Sequence, residues 1–174
     1  MTHLLSRINR FTEKAEAAML ITAILVMMLN SNANAFGRYF FNQSLFFAEE
    51  LNQFLIVSVT FIGMAYAVRK GRNIRMTAFY DMLSLRGRKV VTLIIALTTS
   101  LLMFYLALQA VFYVLELKDL NRLSPALQFP VYLVYSIIPL GFFMAGLQYL
   151  SCFLLNLLHK EVYISDGLIE QKEY

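Results

Sequence analysis

Asn30, Asn32 and Asn34, then Arg38, then Glu49 and Glu50, are the side chains of this sequence best equipped for specific polar chemistry. Asn30 and Asn34 are four residues apart and so share one helix face. A carboxamide in apolar surroundings seeks a neighbouring helix, each such bond contributing about 0.6 to 2 kcal/mol. Arg38 is expected to close one helix, and Glu49 and Glu50 to open the next, where unpaired amides favour a carboxylate by about 0.3 to 1 kcal/mol. One acid is then placed to pair with Arg38. The other, about 100° away around the helix, is expected to face a partner. This is the chemistry of recognition, by hydrogen bonds and ion pairs.

The groups needed for bond-breaking chemistry are not assembled. No Asp, Glu, Lys, Arg or His lies in the middle of any of the long apolar runs, although membrane pumps and transporters place ionisable groups there for proton relays and substrate binding. His3 and His159 both flank the apolar runs, so paired haem ligands are not expected. No Cys/His cluster suggests a metal site, and no glycine-rich loop suggests a phosphate cradle. The lone Cys152 has no partner for an intramolecular disulfide. The sequence predicts no enzyme and no cofactor.

Positioning falls to four long apolar runs. Uncharged stretches of 21, 18, 26 and 36 residues lie between Glu16 and Arg38, Glu50 and Arg69, Lys89 and Glu116, and Arg122 and His159. Roughly 20 apolar residues cross about 30 Å of hydrocarbon, and lipid offers backbone amides no partner, so each run must be a helix. Hydrophobic residues make up 59% of the chain and charged residues 15%, which leaves little material for a water-soluble domain. The expectation is an all-α integral membrane protein forming one membrane domain over 1–174, with spans at 17–40, 48–69, 90–115 and 130–158 and a cytoplasmic tail over 159–174. Arg7, Arg10 and Lys14, the apolar stretch after them and Ala33-Asn34-Ala35 imitate a secretory signal. Glu13 and Glu16 interrupt what should be a purely basic region, and the segment is read as a retained first span.

The basic residues fix orientation rather than suggest nucleic acid. With the N-terminus inside, 12 Lys and Arg fall on the inner side and 3 on the outer, which places both termini in the cytoplasm. Leu4, Ile8, Phe11 and Ala15 form one stripe beside Arg7, Arg10 and Lys14, which predicts an interfacial amphipathic helix over 3–15. A second is predicted over 73–86, ended by Gly87. Arg72, Arg75, Arg86 and Arg88 join Arg7, Arg10 and Lys14 as candidate lipid-surface contacts. Within the spans, Ala33 with Gly37, Gly63 with Ala67 and Gly141 with Ala145 are small-residue pairs that let helices approach. Pro139 predicts a kink in the last span, and Pro130 suits its first turn.

Asn34, Arg38, Tyr39, Phe41 and Asn42, followed by Ser44, Glu49, Glu50, Leu51 and Phe61-Ile62-Gly63, resemble the N-xxx-RY-x-FN and S-xxxx-EEL…FIG pattern of one family. It is the small membrane subunit of tripartite ATP-independent periplasmic (TRAP) transporters. The similarity continues through Ala67, Arg69, Gly71, Ile74, Asp81 and Leu83 and resumes at Pro125, Leu127, Pro130, Tyr135 and Pro139-Leu140-Gly141. The sequence departs from it at Phe47 and Asn73, where many relatives carry Trp and His. The resemblance implies a four-span scaffold docked on a large permease, receiving solute from a periplasmic binding protein. It adds Tyr39 and Asn42 to Asn30, Asn34, Arg38, Glu49 and Glu50 as candidate contacts with those partners. It implies an organic acid, of the sialic acid or C4-dicarboxylate class, imported on a sodium gradient that acts through the large subunit.

Two other functions compete on residues alone. A self-contained four-span channel or exporter needs polar pore-lining residues, for which only the Asn cluster qualifies. A membrane anchor of a respiratory complex would favour haem-spaced histidines, which the sequence lacks.

Overall fold

The computed structural model describes residues 2–70, 84–158, 163–165 and 168–169. Helices α1 (Thr2–Phe41), α2 (Ala48–Arg69), α3 (Leu85–Asp119), α4 (Val131–Tyr135) and α5 (Ile137–Leu158) account for most of them. Strands β1 (Tyr163–Ser165) and β2 (Leu168–Ile169) pair antiparallel and are a small addition to an otherwise all-α chain. Among the described residues, four segments are long and apolar enough to cross a membrane: Thr12–Phe41, Ala48–Arg69, Gly87–Asp119 and Val131–Leu158. Their surfaces carry many exposed large apolar side chains, among them Ile21, Leu29, Ile94, Leu101, Phe112 and Leu140. Hydrocarbon solvates such a surface, so the chain need not fold over it.

Two local expectations meet a different outcome. The interfacial helix over 3–15 and the span over 17–40 are not separate, because α1 runs unbroken from Thr2 to Phe41. The joint is Ala15-Glu16-Ala17-Ala18, all good helix formers with no glycine or proline to end a helix. Gly87 does not end a helix either. It lies in the first turn of α3, where its N–H reaches Ser84 Oγ at 3.4 Å while the Arg88 N–H donates to the Ser84 carbonyl at 2.9 Å. Ser84 thus caps α3. The rest of the second interfacial helix, residues 73–83, lies outside the described residues.

The effect of Pro139 is felt upstream of the ring, as an interruption at Ser136 between α4 and α5. Proline cannot donate to the carbonyl four residues back, here that of Tyr135, and its ring crowds that carbonyl. At the interruption the Ser136 hydroxyl donates to the Leu133 carbonyl at 2.6 Å. Pro130 sits one residue before α4, as its N-cap.

The chain divides into two compact units, one of Met1–Gly63 with Ala110–Pro139, the other of Met64–Gln109 with Leu140–Tyr174. In the first, α1 and α2 run antiparallel: Asn30 meets Ala48 and Asn52, and a Cβ placed on Gly63 would sit 3.6 Å from Leu20 Cδ2. In the second, α3 turns Ala96, Ser100 and Ala107 inward, and α5 turns Gly141, Ala145, Gly146, Cys152 and Asn156 inward. There the Ser100 hydroxyl donates to the Gly146 carbonyl at 3.1 Å, and Phe104 and Phe143 meet edge to face at 5.7 Å.

Candidate functional site

The candidate site is the turn between α1 and α2 with the loop between α3 and α4, both in the first unit. Asn42 ends α1 at φ 51°, a left-handed conformation that Asn tolerates better than most residues. The chain then folds back so closely that a Cβ on Gly37 would stand 3.0 Å from the Gln43 carbonyl oxygen. Only glycine fits there without a shift. The Leu45 N–H donates to Asn34 Oδ1 at 2.8 Å, so Asn34 stands in for a backbone partner that the turn lacks.

One helical turn earlier, Asn30 Nδ2 donates to the Ala48 carbonyl and to Asn52 Oδ1, each at 2.8 Å. Asn52 Nδ2 in turn donates to Ser31 Oγ at 3.0 Å. Asn30 is buried, and this short polar ladder fixes the register of α1 against α2. Asn32 takes no part in it. Its amide donates to the Met28 carbonyl of its own helix at 2.9 Å and is exposed.

Glu50 is engaged differently from what its position beside Arg38 suggests. Its Oε2 accepts the Ala126 and Leu127 N–H groups at 2.9 and 2.8 Å. Among the described residues neither Glu49 nor Glu50 pairs with Arg38, which is an exposed cation in the last turn of α1. The physical reason is the loop itself. Ser124 and Phe129 close it with a 2.9 Å bond from the Ser124 N–H, and Gln128, at φ 52°, donates its N–H to the Ser124 carbonyl at 3.1 Å. That tight turn leaves the amides of Ala126 and Leu127 pointing outward from the loop, and a carboxylate satisfies both at once. Ser124 is buried, and its hydroxyl accepts the Phe129 N–H at 3.3 Å.

The other sequence-predicted contacts separate by exposure. Arg38, Tyr39, Asn42 and Glu49 are exposed, Tyr39 at 82%. Tyr39 packs edge to face on Phe40 at 5.1 Å, and Phe36 stacks on Phe40 at 5.9 Å, which gives the end of α1 an open aromatic surface. Of the candidate lipid contacts, Arg7, Arg10 and Lys14 lie on α1 and Arg86 and Arg88 in the first turn of α3. Lys14 is exposed and Arg88 half-buried, whereas Arg72 and Arg75 lie outside the described residues. The sequence reading missed Asn52 and Ser31. It also missed the 124–127 turn, for which Ser124-Pro125 was an available signal.

A family model described as "Tripartite ATP-independent periplasmic transporters, DctQ component" matches residues 27–159, a range that holds every polar tie of this site. The ectoine TRAP transporter small permease protein TeaB of Halomonas elongata is 43% identical over 167 residues. That similarity covers 96% of this chain and 86% of the relative.

Proposed function

This chain belongs to the DctQ component family of tripartite ATP-independent periplasmic transporters, and from that premise we propose that it is the fixed scaffold of its transporter, docked on the large permease. It is a multi-pass inner-membrane protein, and its partners are a large permease subunit and a periplasmic binding protein. The observation that carries the scaffold reading is the destination of its polar groups. Asn30, Asn34, Asn52 and Glu50 bond to the chain itself and hold the helix ends in register. Groups committed in this way stiffen a frame; a substrate path needs them free.

With both termini in the cytoplasm, as the charge split favours, the turn between α1 and α2 lies on the periplasmic side. The exposed Arg38, Tyr39, Asn42 and Glu49 then form the surface that meets the large subunit or the binding protein, while Asn30, Asn34 and Glu50 act from behind it. The basic groups at the other side, Arg7, Arg10 and Lys14 with Arg86 and Arg88, rest on anionic lipid. The name of the relative puts ectoine ahead of sialic acid and C4-dicarboxylates as the first solute to test. Sodium, where it drives the import, binds on the large subunit.

Reconstitution decides between these readings. Proteoliposomes holding this chain, its large permease and its binding protein should take up labelled ectoine down an imposed sodium gradient, and this chain alone should take up nothing. Uptake by the chain alone ends the scaffold reading. Uptake of sialic acid or succinate in place of ectoine ends only the solute assignment.

A further inference from the structure

Gln148 is a polar side chain at the depth where a membrane helix is least able to carry one. It lies ten residues before the end of α5 and seventeen after the span begins at Val131, about 15 and 25 Å along the helix axis. That puts it near the middle of a hydrocarbon layer about 30 Å thick, far from headgroups and bulk water. Its Oε1 is enclosed by protein and has no hydrogen-bond donor. The side chain as a whole is only half-buried, so part of it stands at the open edge of the helix.

The position on α5 shows which edge that is. Gly141, Ala145, Cys152 and Asn156 are buried on one side of Gln148, and Phe143, Leu147 and Leu154 are exposed on the other. Met144, Ser151 and Leu155, half-buried, lie on the same border. A lipid tail can cover the apolar residues of such a border but cannot bond to an amide. Inside the same unit, Ser100 is committed to the Gly146 carbonyl, and Asn156 Nδ2 to the Cys152 carbonyl at 2.8 Å.

We propose that Gln148 is the midplane anchor of the interface with the large permease, its carboxamide exchanging hydrogen bonds with a polar side chain or free carbonyl of a permease helix laid along the Met144–Gln148–Ser151–Leu155 edge of α5. This rests on the scaffold reading above and adds the face that docks. Of the possible occupants, a permease helix is a partner the family supplies, and it brings donors and acceptors to that depth. A half-turn of the carboxamide exchanges its nitrogen and oxygen, so the group can offer either one to the incoming helix.

The test uses the complex of this chain with its large permease. Gln148→Leu should weaken retention of the permease about 3- to 30-fold, the range for one interhelical side-chain bond in a membrane. The isolated chain carrying the same change should melt at the same temperature or higher, since an enclosed acceptor without a donor has been removed. A residue that matters only to the internal fold would give the reverse pattern, with the isolated chain weakened as much as the complex, and that result overturns the proposal. A benzophenone side chain at position 148 should give an adduct with the permease, and one at Leu154 should not. Adducts at 148 with a second copy of this chain, with lipid or with nothing overturn the assignment of the face. Wild-type co-purification with the permease would survive such a failure, which keeps it distinct from failure of the scaffold reading.

Discussion

The two units hold their helices together by opposite means. The first adds polar atoms: Asn30 reaches to Ala48 and Asn52, and Glu50 reaches to Ala126 and Leu127. The second removes side-chain volume. Ala145 and Gly146 let α3 approach so closely that a Cβ on Gly146 would meet the Phe104 ring at 3.1 to 3.3 Å. Apolar surface gains nothing by leaving lipid for protein, so helix contacts in a membrane rest on dispersion and on hydrogen bonds, and each unit relies mainly on one of them. Polar ties specify register and tolerate changes in volume around them. Small-residue packing is blind to polarity but fails when atoms are added.

Adding atoms should therefore hurt the second unit most. Gly146→Leu places a branched side chain in a space a methyl group already overfills, and overpacking of this kind costs about 1 to 3 kcal/mol or more. The monodisperse fraction left after heating in detergent should fall further for this variant than for any below, and an unchanged melting curve would show that the Phe104 contact is loose. In the first unit, Asn30→Leu keeps the branched shape but leaves Asn52 Oδ1 and the Ala48 carbonyl without their donor, for about 1 to 2 kcal/mol. Adding Asn52→Leu should cost less than the sum of the two single changes, because both remove the same bond; strict additivity in the melting temperatures would mean that the ladder is not coupled. The smallest effect is expected at the rim. Glu50→Ala frees two loop amides for about 1 kcal/mol, part of it recovered by water, while Glu49→Arg, on an exposed side chain, should leave melting unaltered. Hydrogen exchange at Ala126 and Leu127 should rise in Glu50→Ala alone; equal exchange in both variants would remove the carboxylate from the loop.

How far these contacts were legible follows from what kind of pattern each leaves. The spans were legible because apolar length is a one-dimensional signal, and the expected 48–69 coincides with α2. Asn30 and Asn34 stood out for the same reason, as amides spaced by one helical turn within an apolar run. Their partners did not, because Asn52 acquires its meaning only when α1 and α2 lie antiparallel in one register. Glu50 misled because Arg38 is its obvious charge partner in sequence, whereas its actual partners are backbone N–H groups, which every residue type but proline carries. Gly146 left no mark at all: the Gly141 and Ala145 pair was visible, but what makes Gly146 matter is an aromatic ring on another helix. The unbroken α1 was misread for the opposite reason, since an amphipathic stripe gave way to an apolar run with no helix breaker between them.

The Glu50 tie has a consequence for how the chain is made. Its partners come 76 and 77 residues later, whereas Asn52 follows Asn30 by only 22. At roughly 5 to 20 residues per second of synthesis, the Asn ladder can close within about 1 to 4 s of Asn30 leaving the ribosome, but Glu50 waits about 4 to 15 s for its amides. During that interval the carboxylate must stay hydrated, which holds the start of α2 at the water boundary while the third and fourth spans are still being inserted. The tie that finally pins the loop is thus the last of these contacts that synthesis allows, completed well after the hairpin of the first two helices has been made.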